Sequence, residues 1–302
     1  VKLTFSYYKK SCMTTQIIAE IGCNHKGDMA IAKELIKVAA LYCKVDVAKF
    51  QKRNNRELLS ADQYNSPHPN PAQSYGETYG AHREYLEFDI KQHGELKACC
   101  EEWGVKYCTS VWDVTSARDI ATLRPELVKI PSACNGNQRL LEAVCDGYPE
   151  IHVSVGMTTH AEEEELVAFF DSKGRAKDVV LYSCTSGYPV EFEDICLLEI
   201  KRLREKFGSR VKTIGFSGHH LGIAADVAAM ALGAHWVERH FTLDRTWKGT
   251  DHAASLEPDG MRKLARDLRN VSKALAYKSE EILEVEKVQR RKLKASASHL
   301  PL

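Results

Sequence analysis

Residues 235–244, HWVERHFTLD, read as a β-strand, because Trp236, Val237, Phe241 and Thr242 are strand-favouring residues set in an alternating pattern. Alternation puts Glu238 and His240 on one side of the sheet and Arg239 on the other. A soluble protein does not aim a carboxylate and an imidazole into a packed core without a partner for them. The strand therefore belongs to a sheet whose inner face holds polar chemistry at one end.

Seven other runs share this form: QIIAEIG (16–22), VDVAKFQ (45–51), KYCTSV (106–111), LVKIPS (127–132), IHVSVGM (151–157), VVLYSCT (179–185) and VKTIGFSG (211–218). Helical patterns separate them, among them MAIAKELIKVAALYC, KQHGELKACCEEWG, EDICLLEIKRLREKFG and IAADVAAMALGA, most ending near glycine. Eight strand–helix repeats predict an α/β fold, a closed (β/α)8 TIM barrel over residues 1–277. A doubly wound sheet is the weaker alternative, since no GxGxxG turn follows the first strand. The interval 52–105 is too long for one crossover. Its SPHPNPAQSYGETYGAHREYLEF segment carries too many aromatics for disorder and predicts an ordered excursion over the barrel mouth. Residues 278–302 turn charged and predict a surface helix and tail.

Composition narrows the function classes. A net charge of +1 over 302 residues gives no electrostatic basis for nucleic-acid binding. There is no apolar run of membrane-spanning length, and VKLTFSYYKKSCMTT lacks a signal peptide's apolar segment. The ten cysteines form no CxxC pair, and several sit in apolar runs, the usage expected of reduced thiols in a cytoplasmic protein.

Active sites of such barrels lie at the C-terminal ends of the strands. Polar residues collect there: Glu20, then Asn24 and His25; Lys49 and Gln51; Ser110; Lys129 and Ser132; Thr185, Ser186 and Tyr188; Ser217, His219 and His220; Glu238 and His240. Seven of the eight strands contribute. Lys49 and Lys129 with the hydroxyls of Ser110, Ser132 and Ser217 suit an anion with several acceptor oxygens, a phosphate or a carboxylate. Two imidazoles on neighbouring strands, His219 and His240, suit one divalent metal with open positions. Glu20 and Glu238 remain for acid–base work, and Asp251 in KGTDHAASLEP is placed to join them.

These residues resemble the sialic acid synthases, which build nonulosonic acids from phosphoenolpyruvate and an acylamino sugar. The matching segments run in family order from residue 16 to about 277: AEIGCNHKGD, KFQ, SYGETYGAHREYLEF, VKIPS, CTSGYP, GFSGHHLG, ERHFTLD and DHAASLEP. The resemblance implies a (β/α)8 barrel with manganese or magnesium on His219 and His240. It implies phosphoenolpyruvate on Lys49, Ser110, Lys129, Ser132, Ser186 and Ser217, and Glu238 and Asp251 as acidic groups near the metal. Glu20 and Tyr188 match the sugar side, to which we add Asn24 and Gln51. A homodimer is also implied.

Departures are expected to bear on the sugar. Gly218 and His220 stand where the family usually has Asp and Thr around the metal histidine, SACNGN around Cys134 offers no carboxylate where the family often has a Glu nearby, and Ser186 stands where an Asn is often seen. In the family an antifreeze-like domain follows the barrel and supplies an arginine to the sugar's acylamino group; this sequence stops where that domain's linker would begin, so either the sequence is a cut piece or it is a barrel-only variant. In the second case sugar recognition is expected from the barrel and the excursion at 64–88, with Tyr75, Tyr79, His82 and Arg83 as candidates. No basic pocket for a sugar phosphate can be placed from the sequence. Two other readings remain: a Schiff-base aldolase using Lys49 or Lys129, and a non-catalytic sugar-phosphate sensor.

Overall fold

The computed structural model describes residues 15–294. The N-terminal segment read above, up to Thr14, and the tail from residue 295 lie outside the described residues.

Eight parallel strands close into one barrel in sequence order. They are β1 (Gln16–Gly22), β2 (Val47–Lys52), β3 (Lys106–Val111), β4 (Leu127–Ile130), β5 (Glu150–Ser154), β6 (Val179–Cys184), β7 (Thr213–Gly218) and β8 (Trp236–His240). The predicted (β/α)8 architecture is the observed one. β4 stops before Pro131, two residues sooner than expected, because proline has no N–H to continue the ladder.

Helices α1 (Met29–Val38), α5 (Ile90–Trp103), α6 (Val114–Ala121), α7 (Gln138–Gly147), α8 (His160–Ser172), α9 (Leu198–Phe207), α10 (Ala224–Ala231) and α11 (Pro258–Ala274) follow the strands in turn. Short helices α2 (Asn55–Leu58), α3 (Ala61–Asn65) and α4 (Tyr79–Tyr85) build the excursion between β2 and α5. Within it Tyr75 stacks on Tyr85 at 5.0 Å between ring centres. Caps fix where helices begin. Asp28 accepts from the amides of Ala30 and Ile31 to start α1, and Asp89 with Gln92 closes a reciprocal cap on α5. α9 begins at Leu198, later than its helical pattern, after a single 3₁₀ turn at Phe192–Asp194. A last helix, α12 (Glu284–Leu293), buries no residue.

Alternation divides each strand between two environments. Outward residues such as Ile17, Ala48, Val128, Val153, Leu181 and Phe216 pack against the helices in two large apolar clusters. Inward residues form a smaller cluster low in the barrel: Ile18, Val47, Cys108, Leu127, Val180, Tyr182 and Trp236. One pleat further along the same strands, the inward positions are Glu20, Lys49, Ser110, Lys129, Ser217 and Glu238. The apolar layer is the floor on which the polar layer stands.

Candidate active site

Strand register brings the polar residues together. Glu20 pairs across the ladder with Lys49 and with His240, Gln51 with Ser110, Ser110 with Lys129, and Ser217 with Glu238. Lys49 Nζ lies 2.6 Å from Glu20, 2.9 Å from Ser110 Oγ and 3.5 Å from Glu238. Lys129 Nζ lies 3.0 Å from Glu238 and 3.9 Å above the centre of the Tyr182 ring. Ser217 donates to Glu238 at 3.2 Å, and the Gln51 amide donates to Glu20 at 3.0 Å. Two carboxylates thus occupy the positions that an anion would need beside two ammonium groups.

Burial makes these contacts strong and sets the proton affinities. The Glu238 carboxyl is opposed by its own desolvation, yet Lys129 and Lys49 outweigh it and hold the group well below the usual carboxylate range. Desolvation likewise opposes the Lys49 ammonium, but Glu20 and Glu238 hold its affinity above the ordinary value. Glu20 goes the other way. Burial raises it, Lys49 only partly compensates, and the Glu238 charge adds to the rise. Two carboxylates in one site are therefore pushed apart, one kept ionised and the other readier to take a proton, the pattern of an acid–base pair.

On the opposite wall Ser132 and Ser186 meet over Gly156. The Gly156 amide donates to Ser132 Oγ at 3.0 Å, and a Cβ on Gly156 would lie 2.5 Å from Ser186 Oγ and 2.8 Å from Ser132 Oγ. Only glycine leaves room for both hydroxyls there. Beyond Ser154, this is what the fifth strand and the turn after it bring to the mouth.

The rings of His219 and His240 are 5.4 Å apart, centre to centre. Imidazoles bound to one ion at about 2.1 Å place their ring centres roughly 5 Å apart. His219 Nδ1 faces the Thr185 carbonyl at 3.0 Å, which leaves Nε2 as its free lone pair. Burial and the neighbouring His240 push its affinity down to about 3, so the ring is neutral and able to ligate. His240 Nδ1 is buried without a hydrogen-bond partner, 3.9 Å from Asp251. These donors fit a divalent cation. Among the described residues no three His, Cys, Asp or Glu side chains converge ready-made on one point, so water or substrate oxygen would complete the shell.

The outward side of the same two strands holds the histidines in place. Arg239 faces the helix layer as alternation requires. There it is fully buried, bonded to Asp226 of α10, to the Gly222 carbonyl, and to both the ring and the carbonyl of His220. It ties the loop after β7 to β8 and so sets His219 beside His240. His220 also accounts for Gly218: a Cβ at 218 would sit 2.8 Å from the His220 ring. Cys134, in the loop after β4, is buried with its thiol donating to the Trp112 carbonyl at 3.3 Å.

The polar layer, Ser132, Ser186, Tyr188, Asp251 and the two imidazoles line one cavity of about 450 Å3, the size of a small-molecule site. Of the residues expected at the mouth, Asn24, His25, Tyr75, Thr185 and His220 do not line it. Asn24 is turned away; its amide donates to the Phe241 carbonyl and to Ser255 Oγ, both at 2.9 Å, stitching the loop after β1 to the segment after β8. The sugar-side assignment of Asn24 is thus corrected to a structural one, and its position beyond a strand end was not enough to tell them apart. His25 is structural too: it stacks on Phe88 at 4.2 Å, and its Nδ1 accepts from the Gly27 amide. Of the excursion residues, Tyr79, His82 and Arg83 line the cavity, whereas Tyr75 turns its hydroxyl to the Lys248 carbonyl. Arg53, Ser154 and Cys184 line it without having been anticipated. Arg53 continues the inward series 47, 49, 51, so alternation carried one residue further would have found it.

The sequence profile of the NeuB family matches residues 35–280. The chain is 38% identical to the N-acetylneuraminate-9-phosphate synthase of Homo sapiens over 282 residues, 92% of this chain and 76% of that one. It is 33% identical to the N,N'-diacetyllegionaminic acid synthase of Campylobacter jejuni, with 86% and 77% covered. Among solved structures it superposes on the N-acetylneuraminic acid (sialic acid) synthetase of Leptospira borgpetersenii, in complex with citrate, with a TM-score of 0.78 and 29% identity, covering 95% of this chain and 94% of that one.

Proposed function

The chain belongs to the NeuB family, and from that premise and the geometry of the barrel mouth we propose that it is a phosphoenolpyruvate-condensing synthase that joins phosphoenolpyruvate to an open-chain N-acylamino hexose, N-acetylmannosamine or a close relative, giving a nonulosonic acid and phosphate. The observation that carries this reading is the cluster of Lys49, Lys129, Glu20 and Glu238 beside the imidazoles of His219 and His240 in one cavity.

Lys49 and Lys129 grip the anionic groups of phosphoenolpyruvate, with Ser110, Ser132, Ser186, Ser217 and the Gly156 wall supplying further hydrogen bonds. His219 and His240, with Asp251 alongside, would hold a manganese or magnesium ion. That ion, when bound, polarises the sugar aldehyde as a Lewis acid. The methylene carbon of phosphoenolpyruvate then forms the new C–C bond to the aldehyde carbon, and the aldehyde oxygen takes a proton. Glu238, held ionised, faces the positive charge that develops on the enol-ether carbon. Water adds there and gives up a proton, and the C–O bond to phosphate breaks. Glu20, fixed by Gln51 and raised by burial, is the group suited to carry that proton. Holding both substrates in one cavity supplies much of the rate. Tyr188, whose ring lies 4.3 Å from His219, flanks the sugar side.

A Schiff-base aldolase needs a neutral lysine. Lys49 is held protonated by Glu20 and Glu238, and Lys129 Nζ is engaged by Glu238. The deciding experiment is phosphate release from phosphoenolpyruvate across a panel of acylamino hexoses, with and without chelator, using wild type and His240→Ala. Sugar-dependent release that is lost in chelator and in a folded His240→Ala supports the proposal. Full activity in chelator, or release by His240→Ala at the wild-type rate, overturns the metal assignment; borohydride trapping of substrate on a lysine overturns the mechanism.

A further inference from the structure

Beneath the anion site the barrel floor carries a polar chain that the chemistry above does not use. Tyr182 of β6 is fully buried and belongs to the inward apolar cluster. Yet its hydroxyl lies 2.7 Å from His152 Nδ1, and His152 Nε2 lies 2.8 Å from Glu150 at the start of β5. Lys212 pairs with Glu150 at the outer end. Register sets this chain beside Lys129: Lys129 pairs across the ladder with His152, and Tyr182 with Gly215. Gly215 makes room for the ring, because a Cβ there would lie 2.6 Å from it.

Protons run one way along the chain. Burial opposes the Glu150 charge, but His152 and Lys212 outweigh it and hold the carboxyl down at about 2. Burial pushes His152 down despite Glu150, so its ring is neutral. The ring therefore donates its Nε2–H to Glu150 and keeps Nδ1 to accept the Tyr182 O–H. A phenol polarised in that direction is richer in electrons on its face, and so holds a cation more strongly. The cation is Lys129, whose Nζ stands 3.9 Å from the ring centre. Among the described residues that ammonium has one hydrogen-bond partner, Glu238 at 3.0 Å. Glu238 takes one of the three N–H donors and the ring covers one side, which leaves donors for an incoming anion.

We propose that Tyr182 is a positioning residue: its ring is the seat of the Lys129 ammonium and aims that ammonium at phosphoenolpyruvate. Tyr182 does not line the cavity, so it acts through Lys129. An aliphatic residue in its place would leave one side of a buried charge without compensation, and the ammonium would lean on Glu238 alone. The inference rests on the synthase reading, which gives the anion its identity.

Changing the ring's electrons without changing its shape separates a cationic seat from simple packing. The protein with Tyr182→Phe, and with mono-, di- and trifluorinated phenylalanine at the same position, is titrated with phosphoenolpyruvate by calorimetry. Tyr182→Phe keeps the ring and should stay within about threefold of wild type. Affinity should then fall stepwise with each fluorine, by about 5- to 30-fold from phenylalanine to the trifluorinated ring. In turnover the KM for phosphoenolpyruvate should rise along the series while that for the acylamino hexose holds within about twofold. Equal phosphoenolpyruvate affinity across the fluorinated series overturns the proposal. So does a loss in Tyr182→Phe as large as in the trifluorinated protein, which would assign the role to the hydroxyl rather than to the ring face. Failure of the synthase reading looks different: phosphoenolpyruvate binds and follows the series, yet no acylamino hexose brings about phosphate release. Phosphoenolpyruvate that does not bind wild type overturns both.

Discussion

Replacing Glu238 by Gln removes one negative charge and almost no volume from the centre of the polar layer. In the structure that carboxylate lies 3.0 Å from Lys129 and 3.5 Å from Lys49 and accepts from Ser217. At an effective dielectric of about 20, each of these attractions is worth about 5 kcal/mol. Neutralising the carboxylate also returns its desolvation cost, so the net loss is the smaller figure for breaking a buried pair, about 3–5 kcal/mol. At about 2 °C per kcal/mol for a chain of this length, the melting temperature should drop by about 6–10 °C.

The same change should act in the opposite direction on anion binding. Glu238 occupies the ammonium groups that phosphoenolpyruvate must reach. Without that negative charge, inorganic phosphate and phosphoenolpyruvate should each bind about tenfold more tightly, and their addition should restore more thermal stability than in wild type. Turnover should still fall, by about 10²- to 10³-fold, because the group facing the developing positive charge is gone. Thermal melts with and without phosphoenolpyruvate, titration calorimetry and phosphate release measure the three quantities. A Glu238→Gln protein as stable as wild type, or one that binds phosphoenolpyruvate as poorly as Lys49→Met, would refute the idea that this carboxylate stands in for the anion.

Two other outcomes follow from the packing. Gly218→Asp alone should destabilise the fold by about 1–3 kcal/mol, since its Cβ meets the His220 ring at 2.8 Å; the double variant with His220→Thr should recover part of that loss, and additive denaturant midpoints would contradict the pairing of the two positions. Acid should weaken the protein well above the carboxylate range: His25 and His93 are both held near 3 by burial, so between the unfolded value of about 6.5 and about 3 the unfolded chain binds the extra protons. Stability is then complete above about pH 6.5 and falls by about 1.4 kcal/mol per pH unit per histidine below it. Urea midpoints from pH 7 to 5 check this, and a flat profile would contradict it.

What could be read from the residues alone, and what could not, follows one physical division. Strand alternation is local, so Lys49 with Gln51 and Glu238 with His240 declared their shared face without any knowledge of their neighbours. Eight such faces in a row admit essentially one closed arrangement, and the barrel followed. Partner identity is not local. That Lys49 would be claimed by Glu20 and Lys129 by Glu238 depends on register between strands, and register appears only when the barrel closes. The absence of a side chain is harder still to read: Gly156 matters because two serines from other strands converge on the space it leaves. Asn24 failed for the converse reason, since a loop residue beyond a strand end has no alternation to fix its direction, and here the amide found the Phe241 carbonyl and the Ser255 hydroxyl instead. Arg239 shows how far the local rule does extend. Its outward direction was legible, while its work, bracing the loop that carries His219 against the strand that carries His240, depends on Asp226 in a helix that only the closed fold brings alongside. His240 on the inner face and Arg239 on the outer face are neighbours on β8, and Arg239 also holds the loop that carries His219, so a change on the hidden face should be felt as a change in the distance between the rings.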